Sequence, residues 1–267
     1  MKMLLAMVCM LLFAAPAFSQ SMDEWSELDA GIQAYKNARY NEAIKHFSNV
    51  VSLNDSSVLG HLYLATAEAQ VYIPGGDSPN SDHYALSAIN EYKKVLELNP
   101  KSADSAKGAA YLYLQMHKFD EAKQYYQEAI NIDPNDAGNY YAIGVISWTE
   151  SYKERMAMRS KEKLDPSEPF INSPNCEKLH RANEALIKEG MDMLVKSLQV
   201  NPEYDDAMAY MNLMYREKAD IDCNDMAAYT ADLETADHWV DVTMATKKAR
   251  IAKPVIPRVT SPSPIPK

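Results

Sequence analysis

The sequence predicts an all-α fold of about five antiparallel helix pairs, with no sheet. A recurring period and a helix-favouring composition carry that prediction. Four segments resemble one another, "AIKHFSNVVSLND", "AINEYKKVLELNP", "AKQYYQEAINIDP" and "GMDMLVKSLQVNP". The last three close on Pro100, Pro134 and Pro202, at spacings of 34 and 68 residues, the second twice the first. Proline cannot continue a helix, so each marks the turn into the next pair. Glycine is scarce, at 8 of 267 residues, and Ala, Glu, Lys, Leu and Met are abundant, which favours helix.

The clearest unit is 103–136, "ADSAKGAAYLYLQMHKFDEAKQYYQEAINIDPND". Small residues at Ala110, Ala122 and Ala129 let two helices approach, and Tyr113, Phe119 and Tyr126 fill the space between them. The order small, Tyr, Phe, Ala, aromatic, Ala, Pro resembles the tetratricopeptide repeat, a family whose period is 34 residues. Unit 24–57 matches through Gly31, Tyr40, Ala43 and Phe47. It departs at Glu27 and Asp55, as suits a terminal unit facing water. Unit 58–102 carries Ala65, Ala88, Tyr92 and Pro100; unit 137–204 opens on Tyr140 and Gly144; unit 205–252 carries Met208, Tyr215 and Ala236. The resemblance implies a right-handed α-solenoid over 20–252. It encodes packing, and says little about which molecule is bound.

Outside the array, Lys2 followed by the apolar run 3–15, Pro16 and small residues reads as a signal peptide, 1–19. Cleavage after Ser19 and cleavage after Ala17 both fit. The apolar run is shorter than the roughly 20 residues a membrane span needs. No later run is long enough, so no membrane span is expected in the mature chain, which is placed in the periplasm or secreted. The tail 253–267, "KPVIPRVTSPSPIPK", holds five prolines and reads as flexible. The formal charge of −10 repels phosphate backbones, so nucleic acid is not an expected partner.

Insertions fall in the turn between the two helices of a unit. The small positions lie 12 residues apart in units one and three (Gly31 to Ala43, Ala110 to Ala122). They lie 23 apart in unit two (Ala65 to Ala88) and 46 apart in unit four (Gly144 to Gly190). Turns on one edge of a stacked array can grow without disturbing the core. In unit four the first helix is expected to run on through "TESYKERMAMRSKEKL", a proline-rich loop to follow, and a long helix to return from about Glu177. That makes a projecting helical arm, about 149–180; a disordered loop is the alternative. Cys176 and Cys223 flank sequential antiparallel helices and should reach the same edge, where a disulfide can form in an oxidising compartment. Two separate thiols, or pairing with another chain, are the alternatives.

No catalytic motif stands out. "PGGDSPNSD" lacks the lysine of a phosphate loop, Gly-x-Ser-x-Gly is missing, and the six histidines are scattered. "DIDCND" suits helix capping by Asn224 or Asp225 more than calcium binding. No cofactor and no metal are expected. The resemblance places first-helix side chains on a concave groove: Tyr35, Tyr63, Tyr111, Leu114, Gln115, Tyr141, Val145, Trp148, Tyr210, Leu213 and Arg216, with Ile32 and Gln70 beside them. Aromatic side chains with polar tips suit capture of a protein or peptide segment. The chain therefore reads as a binding scaffold. A structural spacer in an envelope complex ranks second, and an enzyme with its site in the insertions last. Convergent buried carboxylates near the insertions would favour the enzyme.

Overall fold

A computed structural model describes residues 15–75, 81–165 and 168–252. Ten α-helices and one 3-10 turn make up the ordered elements, with no strand among the described residues. Helices α1 (Ala15–Lys36), α2 (Tyr40–Leu53), α3 (Val58–Val71), α4 (Ser81–Leu98), α5 (Ala103–Gln115) and α6 (Phe119–Ile132) come first. Helices α7 (Ala137–Glu162), α8 (Cys176–Val200), α9 (Asp205–Ala219) and α10 (Met226–Ala252) follow, with the 3-10 turn at Phe170–Asn172. Within each of the two compact units, helices pack chiefly on their neighbours in sequence. The predicted signal peptide falls mostly outside the described residues, although α1 already begins at Ala15. The predicted flexible tail, 253–267, lies wholly outside them. No described helix is long and apolar enough to cross a membrane.

The chain divides into two compact units, 1–139 and 140–267. In the first, α1 packs on α2, α3 on α4 and α5 on α6, and α2 meets α3 as α4 meets α5. The small residues sit where helices come closest: Ala43, Ala88, Ala110, Ala122 and Ala129 are all fully buried. A Cβ added at Gly108 would lie 2.5 Å from the Tyr92 ring. Each proline acts as a stop two residues after a helix, since α4 ends at Leu98 and α6 at Ile132. The short turns of units one and three share one left-handed residue, Ala38 and His117, both at φ 56°.

In the second unit α7 and α8 are long, 26 and 25 residues against 14 in α2 and α6. Gly144 and Gly190 let them touch: a Cβ on Gly144 would stand 2.7 Å from Leu194 Cγ and 3.3 Å from the Gly190 carbonyl oxygen. Ser147 Oγ donates to Glu189 at 2.8 Å, and Asn183 Nδ2 to the Ser151 carbonyl at 2.8 Å, pinning the pair further along. The proline-rich segment after α7 folds back onto a small core. Phe170 and Ile171 are buried, with Met158, Leu179, Ile187 and Ile221 around that core. Helix α9 packs on α8 and on α10. Asp225 caps α10, its Oδ1 accepting from the backbone N–H groups of Ala227 and Ala228. Asn224 instead takes the left-handed turn position before it, at φ 60°.

Candidate functional site

The first helix of each pair carries the residues expected to line a groove. In the first unit, Tyr35 meets Tyr40 edge-on with centroids 5.4 Å apart, and Ile32 packs beside the same core. Tyr63 stacks on Phe47 at 5.3 Å, so much of its ring area is spent joining α3 to α2. Tyr111 is exposed, Leu114 and Gln115 are half-buried, and Gln70 is exposed. Lys93 lies 5.5 Å from the Tyr113 ring centroid and 5.7 Å from that of Tyr125, a cation over two rings that themselves stack.

In the second unit the aromatic side chains form one connected set. Tyr141, Val145, Trp148 and Tyr152 recur at helical spacing along one face of α7. Tyr210 of α9 meets Tyr141 at 5.5 Å and Trp148 at 5.4 Å, both edge-on. Trp148 stacks on Tyr152 at 5.0 Å, and Tyr204 tilts against Tyr141 at 5.0 Å. The Arg155 guanidinium lies 5.2 Å from the Tyr152 centroid and closes the row. Burial raises the Tyr141 hydroxyl's pKa, with Tyr210 and Asp206 adding to the effect, so it stays a neutral donor at any ordinary pH. Tyr141, Trp148, Tyr204 and Tyr210 pack inward against Leu194, Ala207, Met211 and Met214, while Tyr152 is held by its stack on Trp148. The rings are thus held in place and half open above. Leu213 is half-buried beside them. Arg216 points elsewhere, donating to Asn212 at 2.9 Å and Asp237 at 2.6 Å.

Tyr152, Tyr204 and Arg155 were not singled out in the sequence. Tyr152 and Arg155 lie in the lengthened part of α7, where the 34-residue register no longer assigns faces. The four-residue step from Trp148 is the signal that could have found Tyr152. Arg155 also anchors a polar cluster below the row. It donates to both oxygens of Glu217, at 2.8 and 2.9 Å, and to Asp220 at 3.0 Å. Glu217 is buried, and burial raises its pKa despite the pull of Arg155. Asp220 in turn accepts from the Phe170 backbone N–H at 3.3 Å, and Arg159 donates to the Glu168 carbonyl at 2.7 Å. Nearby, Lys218 pairs with Asp232. Burial and a hydrogen bond with Asp232 push Asp222 up to about 6. Cys176 and Cys223 are joined, with Cα atoms 5.6 Å apart, inside the range a disulfide requires. The bridge ties the start of α8 to the turn between α9 and α10.

Residues 85–143 match the family model described as tetratricopeptide repeat. The solved structures agree over most of the chain. A crystal structure of MamA superposes with a TM-score of 0.60 at 15% identity, covering 89% of this chain and 100% of that one. The fold is of the tetratricopeptide-repeat type. A MamA fragment from Desulfovibrio magneticus RS-1 gives 0.58 at 13% identity over 85% of this chain and 97% of the fragment. YrrB, described as a TPR protein with an unusual peptide-binding site, gives 0.53 at 13% identity over 89% and 100%. At such identities these likenesses carry the fold alone. Regulatory protein RapK of Bacillus subtilis (strain 168) is 31% identical over 98 residues, 35% of this chain. The match spans about a quarter of RapK, 26% of its length.

Proposed function

We propose that the chain is an extracytoplasmic, non-catalytic scaffold that captures a peptide segment of a protein partner on the aromatic row of α7 and α9. The observation that carries this reading is the row itself. Tyr141, Tyr210 and Trp148 are braced by the core and by one another, and Tyr152 by its stack on Trp148, so they offer apolar area at little further cost in order. YrrB, a neighbour in fold, is described as binding peptide, which agrees with this use of the architecture. Among the carboxylates that converge near the insertions, Glu217 and Asp220 are engaged by Arg155 and Asp232 by Lys218. That favours a structural role for them over catalysis. The apolar leader and the Cys176–Cys223 bridge support export to an oxidising compartment.

The test is a photo-crosslinking amino acid at position 152 in living cells, followed by mass spectrometry of the extracytoplasmic fraction. One protein should crosslink reproducibly. Trp148→Ala with Tyr152→Ala should then weaken its capture by roughly tenfold or more, as truncation of anchoring aromatic residues does. A folded double variant that captures the same protein equally well refutes the binding row and leaves the spacer reading in its place.

A further inference from the structure

The last helix is left half uncovered, and its register says by what. In the earlier pairs, the residue four places after the small position of the second helix is buried: Phe47 after Ala43, Tyr92 after Ala88, Leu194 after Gly190. A following first helix supplies part of that cover. Phe47 lies against Tyr63 of α3, Tyr92 against Gly108 of α5, and Leu194 clusters with Met211 of α9. In α10 the small position is Ala236, so Val240 holds the same place and Met244 comes one turn later. They are 40% and 63% exposed, and Ile251 further along is 84% exposed. Arrays of this kind end on a polar face when they end in water. The last described helix, α10, keeps an apolar stripe exposed.

We propose that α10 is a dimer interface, paired antiparallel with α10 of a second copy about a two-fold axis beside Met244. The charges on the stripe select that partner and that direction. At helical spacing Asp237, Val240, Asp241, Met244, Lys248 and Ile251 share one face, acidic in its first half and basic in its second. A parallel pairing would set like charges together. The antiparallel one sets Asp241 beside the partner's Lys248 twice over, while Val240 meets the partner's Ile251. A two-fold contact of this kind is self-complementary and closes at two copies. One helix face per copy is a small interface, so the dimer is concentration-dependent.

Sedimentation equilibrium on the chain as isolated from cells expressing the full-length sequence decides it, up to about 0.1 mM. A reversible monomer–dimer equilibrium is expected. Met244→Glu should abolish the dimer with unchanged circular dichroism, because the side chain is exposed in the monomer. Asp241→Lys and Lys248→Asp should each weaken the dimer several-fold, and the two together should restore it. A monomer throughout that range overturns the proposal, as does a dimer indifferent to Met244→Glu. A double charge swap weaker than either single one refutes the antiparallel arrangement. None of these outcomes depends on whether the aromatic row of α7 and α9 binds anything.

Discussion

Glu68 shows how one residue can set a pH dependence within a helical repeat. It is buried on α3, one oxygen accepting from Ser87 Oγ at 2.8 Å and the other without a hydrogen bond. Burial pushes its carboxyl from 4.5 to about 7, with nearby Glu91 adding to the rise and Ser87 opposing it. The folded chain therefore keeps this proton up to about pH 7, whereas the unfolded chain releases it near 4.5. Between those values the folded state binds more protons, so the contribution of Glu68 to stability is full below 4.5 and is lost as pH rises through 7. Glu68→Gln should melt higher than the parent at pH 8, by roughly a few degrees, and the gap should close towards pH 4.5. Thermal melts at both pH values check this; a gap that widens on acidification contradicts it.

At the scale of elements, the packing of α7 against α9 depends on Arg155. Glu217 is only 1% exposed and receives two of its hydrogen bonds. Removing one partner of a buried pair leaves an uncompensated charge, at a cost of about 3–5 kcal/mol. Arg155→Ala should lose about that much in urea unfolding, and Arg155→Met with Glu217→Leu should recover most of it. A loss below about 1 kcal/mol for Arg155→Ala would mean that water reaches Glu217. This cluster was not legible in the sequence. Its members lie 62 and 65 residues apart, and nothing local links them. The pairs themselves were legible, because Ala110 with Ala122 and Gly144 with Gly190 state in residue size where helices must touch. Phe170 and Ile171 stood among prolines and looked like loop residues. Their burial depends on the α9–α10 turn, which distance along the chain conceals. The same holds for Tyr204, whose place in the aromatic row is set by α7 and not by its own neighbours.

For the whole molecule, two compact units mean that damage in one need not spread to the other. The Cys176–Cys223 bridge lies entirely in the second and spans 47 positions of sequence. In the chain-entropy model it contributes up to roughly 4 kcal/mol. Reduction should therefore weaken hydrogen-exchange protection in α7–α10 and leave α1–α6 near its original level. Two free thiols in the unfolded, non-reduced protein would mean that no bridge forms in solution. The bridge also has a topological consequence. It closes a covalent ring that contains α8, α9 and the exposed turn at Asn201, Pro202 and Glu203 between them. A protease that cuts this turn opens the ring without releasing a fragment, so the nicked chain remains one molecule until a reductant separates its halves.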